Sequence, residues 1–77
     1  MKRRRGLGTA LGRVLRRART GATLSQERLA FLSRLHPTYI SQLERGIKSP
    51  TVDALWNIAK ALNIPVSVIL KTVEDEV

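Results

Sequence analysis

Apolar residues recur along this chain with the period of an α-helix, in about five separate blocks. Leu7, Leu11, Val14, Leu15 and Ala18 fall at i, i+4, i+7, i+8 and i+11, one stripe of an amphipathic helix that Gly21 ends. Ser25 offers a hydroxyl cap to a second helix, with Gln26 and Glu27 in its first turn and Leu29, Ala30 and Leu32 on its inner side. Arg34-Leu35 makes a tight turn. A third helix starts at Pro37, whose missing N–H falls among the donors a first turn leaves unpaired anyway, and Gly46 ends it. Thr51 caps a fourth helix carrying Val52, Leu55, Ile58, Ala59 and Leu62, and Asn63 suits the left-handed conformation at its end. Pro65 opens a fifth, with Val66, Ile69, Leu70 and Val73 facing in. No stretch sustains the period-two alternation of a strand. The pattern predicts an all-α fold over residues 7–73, a compact bundle of about five short helices joined by short loops.

The third block carries an unusual outer face. At about 100° per residue with Ile40 at zero, Leu43 lies near 300° and Tyr39 near 260°, so these make the inner stripe. Thr38, Ser41, Gln42 and Arg45 fall between about 100° and 200°, opposite the core. That face holds one cation, no anion and three hydrogen-bonding side chains. Gln pairs bidentately with adenine, Ser and Thr reach several base edges, and a Thr methyl can touch a thymine methyl. From the residues alone, base reading and an ordinary solvated face fit about equally well.

Charge adds a direction. Fourteen Lys and Arg stand against six acids, a net charge of +8. Eight of the fourteen precede residue 20 with no acid among them, while Glu74, Asp75 and Glu76 give residues 74–77 the look of a solvated acidic tail. A small basic domain points to a polyanionic partner, nucleic acid or an anionic membrane surface. Apolar runs of a few residues predict no membrane span, and the basic start, with no apolar segment after it, predicts no secretory signal; the cytoplasm is the default. Without cysteine there is no disulfide framework and no Cys-based zinc site. The single histidine, His36, is expected to cap the third helix rather than touch a base, and with no second ligand it is not expected to bind metal. Residues 1–6, "MKRRRG", form a basic arm that fits a solubilising tail as well as a segment tracking DNA. Arg13, Arg16 and Arg17 are expected to be a solvated cationic face. Trp56 sits at the edge of the fourth apolar stripe, with core packing as its default role. Val68 points about 180° from the fifth stripe. Taken together, Trp56, Val68 and Leu70 suggest a dimer interface on the last two helices.

The run "LSQERLAFLSRLHPTYISQLERGIKSPTVDALWNIAKALNIPVSVIL" resembles the Xre/Cro/phage-repressor family of helix-turn-helix DNA-binding proteins, over residues 8–70. Gln26 opening the second helix, Ala30 at the helix crossing, Ile40 with Leu43, and "LERG" carry the likeness. The small size and "HPTYIS" look like the controller proteins of restriction–modification systems. The resemblance implies base contacts from Pro37, Thr38, Ser41 and Gln42. It implies phosphate contacts from Gln26, Tyr39, Arg45, Lys48 and Ser49, and a structural ion pair between Arg19 and Glu44. Two departures stand out. Arg34 occupies a turn position where the family favours Gly or Asn, which strains it if φ is positive there. Pro37 stands where controller-like relatives often carry an arginine, so base reading shifts to Thr38 and Gln42.

The implied function is sequence-specific transcription regulation, as a repressor or autoregulator. A homodimer would bind a palindromic operator in double-stranded DNA, without a cofactor. An antitoxin that also represses its own operon is the alternative; a toxin or polymerase partner stays open. No nucleophile–base pair, metal cluster or Gly-rich phosphate loop speaks for an enzyme. An aromatic content of 4% is low for stacking RNA bases.

Overall fold

The computed structural model describes residues 6–77, so the arm over residues 1–5 lies outside the described residues. Five helices follow one another: α1 (Leu7–Gly21), α2 (Gln26–Ser33), α3 (Pro37–Glu44), α4 (Val52–Leu62) and α5 (Val66–Glu76). No strand occurs among the described residues.

Local chemistry sets the boundaries. The Ser25 hydroxyl accepts from the Arg28 N–H at 2.9 Å and the Thr51 hydroxyl from the Ala54 N–H at 3.0 Å, each satisfying an orphan donor of a first turn. His36 caps α3 in the same way, its Nδ1 accepting from the Thr38 N–H at 3.1 Å. Asn63 ends α4 in the left-handed region at φ 59°. Arg34 ends α2 at φ 61°, so the strain anticipated there is present in a side chain that lacks glycine's freedom.

Leu15, Leu29, Ile40, Leu43, Ile58 and Ile69 form the centre of one core. α1 packs on α3 and α5, and α2 packs on α3 and α4, so α3 is held from two sides. At Gly12, α1 and α3 approach closely. A Cβ there would stand 2.6 Å from the Leu43 carbonyl oxygen and closer still to that of Glu44. α1 therefore lies directly on the last carbonyls of α3.

Several assignments change. Trp56 is not a core residue but 58% exposed, and Val52 is 81% exposed. The buried residues of α4 (Ala54, Leu55, Ile58, Ala59, Leu62) centre near 330° if Leu55 is zero, which leaves Val52 about 90° and Trp56 about 130° away. Leu70 does not face in; it is exposed, because only Ile69 and Val73 of α5 reach the core fully. Leu7 and Leu32, placed on inner stripes by periodicity, are also exposed. Residues 74–76 are not a tail but the last turn of α5. Glu76 pairs with Arg13 at 3.4 Å and with Arg17, and the Arg17 guanidinium, with Arg13 beside it, holds the Glu76 carboxyl below the usual carboxylate range. The pair is solvent-screened and contributes little to stability.

Candidate nucleic-acid interface

α3 is short, and its two flanks fix what it can do. On the core side, Ile40 and Leu43 are buried and Tyr39 is half-buried. On the opposite side Thr38 and Arg45 are exposed and Ser41 and Gln42 are half-exposed. Among the described residues no hydrogen bond or ion pair engages the side chains of Thr38, Ser41, Gln42, Arg45 or Lys48. The face thus presents unspent donors and acceptors, whereas buried polar atoms elsewhere in the described residues are all satisfied.

The loop after α3 folds back on the same helix. The N–H groups of Ile47 and Lys48 reach the Gln42 carbonyl oxygen at 2.9 and 3.4 Å, and Gly46 makes the turn at φ +74°. Lys48 and Ser49, both exposed, are therefore positioned by the residue whose side chain stands on the free face. Pro37, half-buried at the other end, supplies no donor.

A buried polar cluster locks the back of this unit. Arg19 of α1 meets Glu44 of α3 through two parallel bonds, Nε to Oε2 at 2.6 Å and Nη2 to Oε1 at 3.1 Å. Their side chains are 11% and 3% exposed. Arg19 also donates to the Leu24 carbonyl at 2.8 Å, and its hydrogen bond to Glu44 raises the guanidinium further above its ordinary pKa. The fork geometry matches a carboxylate and holds α1, the α1–α2 loop and α3 in one register. Gln26 joins from α2, its Nε2 donating to Glu44 Oε1 at 3.0 Å. One amide N–H of Gln26 is thus committed to Glu44 and is not available to a phosphate. The second amide N–H, the side-chain oxygen and the backbone N–H groups of Gln26 and Glu27 make no such contact, while the Arg28 N–H is taken by the Ser25 hydroxyl. No local pattern signals this third member, because the contact joins residues 18 apart through the crossing of two helices.

Two of the residues assigned to a dimer interface, Trp56 and Val68, line different grooves. Trp56 lines a groove between α4 and α5 with Ile64, Pro65, Val66 and Ser67. Val68 lines another between α1 and α5 with Val14, Ala18 and Ile64. Ile64 is common to both grooves, and exposed Leu70 lines neither of them.

Two helices crossing at a tight turn, the second with a polar outer face, match a helix-turn-helix profile over residues 15–69. The chain belongs to the helix-turn-helix family. The Xre/Cro-type membership expected from "LERG" and its surroundings is met. Control protein C.BamHI of Bacillus amyloliquefaciens is 46% identical over 43 residues, covering 56% of this chain and 53% of that protein. Among solved structures, the clp gene regulator ClgR from Corynebacterium glutamicum superposes with a TM-score of 0.86 at 34% identity, over 91% of this chain and 74% of that one. The restriction–modification controller protein C.AhdI from Aeromonas hydrophila gives 0.78 at 38% identity, over 79% and 92%. The chain spans about half the length of the curated relatives it matches. Relatives of both kinds, control proteins and other transcriptional regulators, place the family among regulators rather than enzymes. No helix among the described residues is long and apolar enough to cross a membrane.

Proposed function

We propose that this chain is a sequence-specific DNA-binding transcription regulator that inserts α3 into the major groove. The observation that carries the reading is the free polar face of α3, bounded by Arg45 and Lys48 and backed by the buried Arg19–Glu44–Gln26 cluster. Thr38, Ser41 and Gln42 read base edges; Pro37 packs against the groove without donating. Tyr39, Arg45, Lys48 and Ser49 grip phosphates, which fixes the register but carries no sequence information. Gln26 contributes through its first-turn backbone and its uncommitted amide atoms.

The test separates reading from gripping. Gln42→Ala is expected to cost about 1–3 kcal/mol at its base pair and relax preference there, with non-specific affinity almost unchanged. Lys48→Ala is expected to weaken all sequences alike and reduce the salt slope by about one. Equal losses on all duplexes for Gln42→Ala would make it a backbone contact instead.

The regulator acts as a homodimer on a palindromic operator, with half-sites about 34 Å apart. Support comes from three exposed apolar side chains on the last two helices, Trp56 on α4 and Val68 and Leu70 on α5, of the kind a second copy would cover. Trp56 is the only tryptophan, so its fluorescence reports the contact directly. A blue shift with rising protein concentration is expected, and Trp56→Glu should leave a monomer by sedimentation at every concentration. A Trp56→Glu chain with an unaltered monomer–dimer equilibrium would remove Trp56 from the interface.

A further inference from the structure

We propose that His36 is a DNA contact as well as a helix cap, its Nε2–H donating to an acceptor atom at the front of α3, a role that rests on the DNA-binding function proposed above. The cap itself fixes the chemistry. The Thr38 N–H reaches His36 Nδ1 at 3.1 Å. A backbone N–H only donates, so Nδ1 is the unprotonated nitrogen and the neutral ring carries its proton on Nε2. Capping α3 and contacting DNA are therefore not alternatives, because they use different nitrogens of one ring. His36 is exposed, and among the described residues no other hydrogen bond or ion pair engages its side chain. Nε2 is left as an unspent donor immediately before the residues of the free polar face.

The surrounding backbone makes this donor matter. Pro37 has no N–H. The Thr38 N–H is spent on His36 Nδ1, and those of Tyr39 and Ile40 both go to the His36 carbonyl oxygen, at 3.0 and 3.2 Å. The first turn of α3 thus keeps no free backbone donor for DNA. α2 differs, because the N–H groups of Gln26 and Glu27 stay open. Donation at the front of α3 falls to side chains: the Thr38 hydroxyl, the Tyr39 phenol and His36 Nε2. Of the three side chains, only that of His36 is already held by a hydrogen bond within the described residues. Its ring is oriented before DNA arrives, so the contact loses less side-chain freedom on binding. A recognition helix presents its N-terminal residues to base edges. Guanine N7 and O6, adenine N7 and thymine O4 all accept there. A phosphate oxygen at the groove wall offers the same chemistry.

His36→Ser separates the two roles, since serine is among the best caps but has no atom that reaches as far as Nε2. The intact chain and the variant are titrated against a duplex selected for binding and against a random duplex of equal length, and thermal unfolding is followed by circular dichroism. The variant is expected to keep the parent's unfolding midpoint and to bind the selected duplex about three- to tenfold more weakly, the loss of one hydrogen bond. A loss confined to the selected duplex identifies a base acceptor, and an equal loss on both identifies a phosphate. The second measurement needs no variant. His36 is the only histidine, so in mildly alkaline buffer the imidazole nitrogen resonances of the intact chain belong to it alone. A proton on Nε2 in the free chain, with a resonance that moves when the selected duplex is added, is expected. Full affinity in His36→Ser, a ring protonated on Nδ1, or an Nε2 resonance that DNA leaves in place would each overturn the contact while the function of α3 stands. If the intact chain bound neither duplex, both readings would fall together.

Discussion

Arg19→Ala is expected to lower stability by about 3–5 kcal/mol, the cost of stranding one member of a buried ion pair. The Glu44 side chain, 3% exposed, would keep only the Gln26 amide at 3.0 Å, and the Leu24 carbonyl would lose its guanidinium donor. A chain of 77 residues has about 4–12 kcal/mol of stability in all. The substitution would therefore consume a large share of it, and urea denaturation followed by circular dichroism would show a markedly lower midpoint. The pair need not be strongly stabilising against an apolar replacement, because burying two charges is itself costly. Arg19→Met with Glu44→Leu should accordingly lie closer to the parent than Arg19→Ala does. A double variant as unstable as the sum of its single changes would contradict this account. Changing pH does not substitute for mutation on the arginine side. A raised pKa makes the Arg19 contribution complete below the ordinary arginine value, and it is lost as pH rises from that value through the raised one.

The same cluster explains how much of the molecule was legible in the sequence. Helix ends were legible because their chemistry is local: Ser25, His36 and Thr51 each cap a donor two or three residues away. The polar face of α3 was legible because an angular count needs only the helix period. What periodicity cannot supply is the width of the arc a neighbour covers. In a domain this small the covered arc is narrow, so Val52, Trp56 and Leu70 sit near the apolar stripe and yet in solvent. Long-range polar contacts were hidden for a related reason. Glu76 looked like part of a charged end, and only the packing of α5 on α1 brings it to Arg13 and Arg17. Gln26 looked like a free phosphate ligand until the crossing of α2 and α3 delivered its amide to Glu44. The Arg19–Glu44 pair came from family resemblance, since nothing local ties residues 25 apart.

Gly12→Ala should be the most damaging single methyl in the domain, costing about 3 kcal/mol, at the upper end of the range for overpacking. Its sequence signal was a glycine in mid-helix, where it forgoes about 1 kcal/mol relative to alanine and so implies a packing reason. The reason is the backbone of α3. The new Cβ would meet the carbonyl oxygens of Leu43 and Glu44, and backbone atoms cannot rotate away as a side-chain end can. α1 must then lift off α3, taking with it Leu15 from the core and Arg19 from Glu44. The gain in helix propensity is too small to offset that movement. Gly21→Ala is the internal control. It makes the same chemical change at the end of the same helix, with nothing within 4 Å of the added atom. There the loss of unfolded-state freedom should leave stability unchanged or raised by up to about 1 kcal/mol. A marked loss of stability at Gly12 and none at Gly21, measured by thermal or urea unfolding, is the expected result. Similar small effects at both would mean that α1 and α3 can separate cheaply, and α1 could not then hold α3 in place. Because Gly8 and Thr9 seat on Gly46 along the same contact, a Gly12→Ala chain that still folds should also bind DNA more weakly.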